Sequence, residues 1–211
     1  MDRHLQVDTF SRCFQVSRET IISLNNFEKI IIKANKSMNL IGKSTIKDIW
    51  HRHFLDSFQL IDFIDKNDKT LLDIGSGAGF PGLVLAIAAK DKKIPLKVRL
   101  IEKSRKKVKF LEKTIKELNL RVQVINENVL EHAKTLKDDI LVARAFKPLS
   151  IILKLIHNKA INWKKIIIFQ GKTGKIELLE ASKTWDIEYK QRVSITNSDS
   201  MILEINKLKK K

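Results

Sequence analysis

The sequence predicts an α/β fold: a mostly parallel sheet covered by helices, closed by an antiparallel C-terminal strand pair and preceded by an N-terminal helical cap. Three observations carry that prediction. From about residue 66 onward, short apolar runs alternate with longer amphipathic stretches, the pattern of strand–helix–strand crossovers. At the first such junction a run of alternating glycines separates a strand from a helix. Before residue 66 the readable apolar spacing is helical. The expected division is a cap over residues 1–65 and a sheet domain over 66–211.

In the cap, Ile21, Leu24, Phe27, Ile31, Ala34 and Met38 recur every three or four positions, and Ser17 is placed to cap that helix. Trp50, Phe54 and Phe58 lie four apart on a second stripe, which reads as core packing, while Arg52, Asp56 and Gln59 point elsewhere. Asp65 to Lys69 is a polar linker. Strands are expected at Leu71–Ile74, Val98–Ile101, Val122–Ile125, Ile140–Ala143 and Ile166–Phe169. Helices are expected at Phe80–Ala89, Ser104–Leu118, briefly near Leu130, and at Leu149–His157. Trp185–Val193 and Met201–Asn206 read as a final strand pair separated by Ser194–Ser200, with Lys207–Lys211 as a frayed, solvated tail.

A chain of 211 residues holds one full domain with an appendage and buries a core without a disulfide or metal staple. Its 41 Lys plus Arg against 24 Asp plus Glu give a net charge of +17. That excess favours polyanionic partners, nucleic acid or an anionic membrane surface, although the general abundance of Lys accounts for part of it. The single Cys13 excludes an intramolecular disulfide and cysteine-rich metal sites. The first thirty residues are charged without an apolar core, and the aliphatic runs fall far short of the roughly 20 residues that cross a bilayer. Neither a signal peptide nor a membrane span is expected, and a cytoplasmic monomer is.

The most informative stretch runs from Leu71 through Asp73, Gly75, Gly77, Gly79, Phe80, Pro81 and Gly82 to Ala89. Glycine permits positive φ and brings bare peptide N–H groups against a ligand, and Pro81 suits the first turn of the next helix. Such a loop cradles a nucleoside cofactor. Gly75-x-Gly77-x-Gly79 fits a methyltransferase loop and Gly77-x-Gly79-x-x-Gly82 fits the dinucleotide fingerprint, so the glycines alone leave both open. Asp73, two residues before the first glycine, suits the amino group of an aminoacyl ligand and would repel a pyrophosphate. Glu102, at the end of the next strand, suits two ribose hydroxyls in either class. For both carboxylates the alternative is helix or loop capping.

A basic strip from Lys103 through Lys106, Lys107 and Lys109 to Lys113 and Lys116 follows Glu102. Its helix turns Val108, Leu111, Ile115 and Leu118 inward, so the lysines face solvent beside the cofactor mouth, where RNA phosphates would find them. A solvated helix face is the plainer reading. His53 and His157 lack partners at a zinc spacing, so each reads as a packed or capping residue and no metal site is expected. At this level three functions stand open: a methyltransferase, a nicotinamide-dependent oxidoreductase, and a basic RNA-binding module that uses the loop only as an anion nest.

Six motifs in order narrow the choice. They are Asn35-x-x-x-Asn39-Leu40, Arg52-His53-x-x-Asp56-Ser57, Asp73-Ile-Gly75-Ser-Gly77-Ala-Gly79-Phe80-Pro81-Gly82, Lys106-x-x-x-Phe110-Leu111, Ala143-Arg144-Ala145-Phe146 and Gln170-Gly171-Lys172. Together they resemble the bacterial small-subunit ribosomal RNA guanine-N7 methyltransferases, also called glucose-inhibited division protein B, from about Ser17 to Asn206. The resemblance implies a Rossmann-like class I methyltransferase domain using S-adenosylmethionine, with a guanine of 16S rRNA, free or in a small-subunit precursor, as substrate. Carried over by position, Gly75 and Phe80 become cofactor-loop contacts, Val129 and Leu130 the adenine-side pair, and Arg144 the arginine beside the methionine end, joining Asp73 and Gly77 from the glycine stretch and Glu102 from the next strand as the expected cofactor-binding residues. An ion pair with Asp73 or another neighbour is the alternative for Arg144. RNA contacts are expected at Arg52, His53, Lys103, Lys106, Lys107 and Lys172. Asn128-Val129-Leu130-Glu131 stands where the family usually has an arginine-x-glutamate, and Ile41 where a threonine commonly follows Asn39-Leu40. Because guanine N7 carries no proton, no catalytic acid, base or nucleophile is expected.

Overall fold

The computed structural model describes residues 2–131 and 135–211. The chain opens with α1 (Arg3–Phe14) and α2 (Arg18–Asn35), then winds through a 3-10 segment (Lys43–Asp48), a π-helical segment (Trp50–Leu55), the single turn α3 (Asp56–Phe58) and a second 3-10 segment (Gln59–Phe63). The remaining elements are β1 (Thr70–Ile74), α4 (Gly82–Asp91), β2 (Lys97–Glu102), α5 (Arg105–Glu117), β3 (Val122–Asn126), β4 (Ile140–Ala143), α6 (Leu149–Lys159), β5 (Lys165–Gln170), α7 (Gly174–Thr184), β6 (Trp185–Ser194) and β7 (Asn197–Lys210). One sheet of seven strands has the order β3-β2-β1-β4-β5-β7-β6. The first five strands are parallel, and β7 runs antiparallel to both β5 and β6.

The five parallel strands stand where the apolar runs predict them, each within one residue at either end. Continuous hydrophobic runs suit strands covered on both faces. Alternate residues serve opposite layers: Ile140 and Val142 join a core with the N-terminal helices, α4 and α5, and Leu141 and Ala143 one with α6 and α7. The first of these cores is continuous from Phe10 on α1 to Ile202 on β7, so the N-terminal helices and the sheet share it.

Asp2 caps α1 by accepting from the His4 N–H at 2.9 Å, and Ser17 caps α2 by accepting from the Thr20 N–H at 3.3 Å. α2 ends at Asn35, short of the expected Met38, because the Asn35 side chain accepts from the Leu40 and Ile41 N–H groups at 2.8 and 3.0 Å and turns the chain. Trp50, Phe54 and Phe58 are fully buried, as their stripe implies, although a π-helical segment carries the first two and the single turn α3 the third. Phe10 of α1 packs edge-on against Trp50 and Phe58, with ring centroids 5.5 and 5.0 Å away.

Four local expectations change. α1 and α7 are helices the periodicity did not mark. The final turn is only Ile195-Thr196, because Ser194 pairs with Asn197 and β7 starts there. The lysines expected to fray at the C-terminus extend β7, where Lys207, Lys209 and Lys210 pair with Glu188, Asp186 and Trp185. Near Leu130 the described residues 129–131 form a turn, and the continuation of the expected short helix lies outside the described residues. Among the described residues no helix is long and apolar enough to cross a membrane.

Candidate active site

The strand order reverses between β1 and β4, which opens a crevice at their carboxyl ends, where open α/β sheets bind ligands. The loop after β1 and the loop after β4 meet there. Gly75 has φ +75°, and a Cβ on it would lie 2.3 Å from the Phe146 ring, so only glycine fits against that aromatic. Gly77 has φ +58°, but a Cβ there would meet nothing nearer than the Gly75 carbonyl at 3.8 Å. Its backbone therefore borders open space.

Two buried carboxylates brace this loop. Asp73 on β1 accepts from the Gly82 N–H through Oδ2 at 2.9 Å, tying the strand to the start of α4. Its Oδ1 is buried without a partner among the described residues, and burial pushes the carboxyl up to about 7. Glu102 at the end of β2 accepts from the Gly77 N–H through Oε2 at 3.0 Å and from the Ser104 N–H through Oε1 at 2.8 Å. Both capping roles weighed from the sequence are thus present. Each carboxylate retains acceptor capacity, which is complete at Asp73 Oδ1.

Arg144, immediately after β4, is held on several sides. Its Nη2 donates to the Arg52 carbonyl at 2.6 Å and lies 3.1 Å from Asp56 Oδ2, and its Nη1 donates to Ser57 Oγ at 3.3 Å. The guanidinium also sits 5.4 Å from the Phe169 ring centroid and 6.0 Å from that of Phe80. The neighbour that pairs with Arg144 is Asp56. Phe80 carries the loop into the N-terminal helices, stacking on Phe27 at 5.4 Å and on His53 at 4.9 Å. His53 pairs with Thr45 Oγ1 through Nε2 at 2.9 Å, and burial, aided by Arg144 and Arg52, lowers its pKa to about 3. It is neutral at pH 7 and serves as an aromatic layer rather than as a cation.

A family model described as rRNA small subunit methyltransferase G matches residues 20–205. The chain belongs to that family. Similar relatives include the ribosomal RNA small subunit methyltransferases G of Pelagibacter ubique, 42% identical over 93% of this chain and 92% of that protein, and of Rickettsia akari, 41% identical over 93% and 98%. Among solved structures, the 16S rRNA methylase RmtB is 14% identical with a TM-score of 0.54 over 91% of this chain and 76% of that one. A TehB-like S-adenosylmethionine-dependent methyltransferase from Corynebacterium glutamicum is 14% identical with a TM-score of 0.53 over 88% and 97%. The fold is that of the class I methyltransferases.

The chain is thus an rRNA small-subunit methyltransferase, and the cofactor of such an enzyme on this fold is S-adenosylmethionine. The donor set fits it. An orphaned buried carboxylate oxygen and a nearby guanidinium match an α-ammonium and an α-carboxylate, and the open side of Gly77 admits a ligand against bare backbone. Farther along the edge, the Val129 side chain is buried in the core, whereas Leu130 is exposed and its N–H is held by Asn128 Oδ1 at 3.2 Å.

Of the expected RNA contacts, Arg52, Lys103, Lys106 and Lys172 are exposed and Lys107 is half-buried. Lys106 Nζ donates to the Ser37 carbonyl at 3.0 Å, tying α5 to the cap, and Lys172 Nζ lies 3.4 Å from Asp199 Oδ2. Lys103 and Lys172 follow β2 and β5, three strand steps apart, or roughly 14 Å, on either side of the crevice. Asp56, Gln59, Ser194 and Thr196 were not marked as site residues, yet they surround Arg144's ion pair. Asp56 stood in a motif, whereas Ser194 and Thr196 carried no local signal.

Proposed function

We propose that this methyltransferase transfers a methyl group to N7 of an unpaired guanine in 16S rRNA, free or in a small-subunit precursor, as a cytoplasmic monomer. The observation that carries the cofactor half is Oδ1 of Asp73, a buried carboxyl oxygen with no partner among the described residues, at the head of the glycine loop. In this reading Asp73 takes the α-ammonium and Arg144 the α-carboxylate, since its three contacts leave two of the five guanidinium N–H donors. Glu102 receives the ribose hydroxyls, Gly75, Gly77 and Phe80 shape the loop, and Val129 and Leu130 flank the adenine. The cofactor supplies an electrophilic methyl carbon on a sulfonium.

Everything else is positioning, the kind of contribution worth an effective concentration of roughly 10⁵ to 10⁸ M. The N7 lone pair is free of any proton, so no side chain has to remove one. Guanine N7 lies on an edge that a deep A-form major groove conceals and a splayed loop presents, hence the unpaired target. The lysines at 103, 106, 107 and 172 and Arg52 supply phosphate contacts around the crevice, with His53 supporting the wall behind Phe80. Calorimetric titration of the pure chain with S-adenosylmethionine and with NAD tests the cofactor half. Saturable binding of the first and none of the second is expected, and the reverse would return the loop to the dinucleotide class.

A further inference from the structure

We infer that Asp56 is a positioning residue for Arg144 and that the β6–β7 turn holds Asp56 in that role. Within the motif Arg52-His53-x-x-Asp56-Ser57, Asp56 has no other task in the reaction as described, yet it is the centre of a dense polar cluster beside the crevice. Asp56 is 7% exposed. One oxygen, Oδ2, faces Arg144 Nη2 at 3.1 Å. The other, Oδ1, accepts from Gln59 Nε2 at 3.0 Å, Ser194 Oγ at 2.8 Å and Thr196 Oγ1 at 2.7 Å. Gln59 closes the cluster by donating to Ser194 Oγ at 3.0 Å and accepting from the Ile195 N–H at 3.1 Å.

A carboxylate that only balanced a charge would need no such clamp. Three donors on one oxygen fix the plane of the carboxylate, so its second oxygen meets the arginine from one direction. The Arg52 carbonyl, Ser57 Oγ and the Phe169 ring restrain the guanidinium from the other sides. An arginine with its rotamer set in advance loses less freedom when it takes a carboxylate. The hairpin turn lies at the crevice end of the sheet, because Met201 near the start of β7 pairs with Gln170 at the carboxyl end of β5. The turn is thereby bolted to the cap across the mouth of the site.

The inference rests on Arg144 holding the cofactor's carboxylate, and a double-mutant cycle separates the two ideas. Asp56→Asn, Arg144→Ala and the double variant would be titrated with S-adenosylmethionine by calorimetry and assayed on small-subunit RNA. Arg144→Ala should weaken cofactor binding about ten- to a hundredfold, in line with loss of a charged hydrogen bond. Asp56→Asn should weaken it at least fivefold, raising KM for the cofactor with KM for RNA unchanged and kcat within threefold. The double variant should bind no worse than Arg144→Ala. Additive losses, or an Asp56→Asn protein that binds within twofold of the parent while Arg144→Ala is impaired, would overturn the positioning role. Normal binding by Arg144→Ala would instead remove the reading of Arg144, and the inference with it. If Asp56→Asn does not fold, Ser194→Ala with Thr196→Val, which keeps the charge, should raise the cofactor KM at least threefold on the parent and not at all on the Arg144→Ala background. No rise on the parent would refute the clamp.

Discussion

Asp73 places one carboxylate oxygen on the N–H that opens α4 and leaves the other, in a site with no solvent exposure, without a partner among the described residues. Burial raises its pKa from 3.8 to about 7. Because the folded value lies above the unfolded one, its contribution to stability is full below 3.8 and is lost as pH rises through about 7. The chain without cofactor should therefore melt at a lower temperature at about pH 8 than at about pH 5.5, and Asp73→Asn should shrink that difference. An ammonium against Oδ1 favours the ionised carboxylate, so binding should release a proton near neutrality and cofactor affinity should climb between about pH 6 and 7.5. Calorimetry in buffers of different ionisation enthalpy measures that proton. Asp73 and Glu102 were legible in the sequence because each stands at a fixed offset from a strand end and a glycine. Asp56's partners were not, since Ser194 and Thr196 lie 138 and 140 residues away and no local pattern joins them.

At the scale of elements, Trp50 ties the N-terminal helices to one another. It is fully buried, touches Phe10 and Phe54, and donates through Nε1 to Glu28 Oε2 at 3.1 Å. Trp50→Ala should cost about 3–5 kcal/mol in chemical denaturation, a cavity combined with a buried carboxylate short of one donor. A loss under about 1 kcal/mol would mean that the cap packs independently of this side chain. β1, β4 and β5 could be read from sequence because their residues are buried on both faces and so form nearly continuous apolar runs, whereas β2 is broken by Arg99 and β3, at the sheet edge, is only half-buried and shows as Val122, Val124 and Ile125 around the polar Gln123. α7 could not, since Ile176 and Leu179 are 65% and 66% exposed and only Gly174, Leu178 and Ala181 are buried, so the apolar spacing does not follow the buried face. α1 likewise leaves Leu5 exposed and buries the polar Gln6. The lysine-rich end of β7 carries no apolar alternation to distinguish a paired edge from a solvated tail.

At the scale of the whole molecule, a net charge of +17 meets a crevice flanked by the loops after β2 and β5. Binding to RNA should weaken steeply as salt rises, and replacing Lys103, Lys106 and Lys107 with glutamine should flatten the logarithmic slope by about two to three units if each meets one phosphate. An unchanged slope would move the RNA away from α5. Methyl transfer itself offers the most direct test, using labelled S-adenosylmethionine with bacterial small-subunit RNA, free and as assembled particles. Methylation at N7 puts a positive charge on the guanine imidazole ring and weakens it, so reduction followed by aniline should cut the labelled RNA at one unpaired guanine. Label in the RNA without cleavage at a guanine, or label in protein alone, would contradict guanine-N7 methylation.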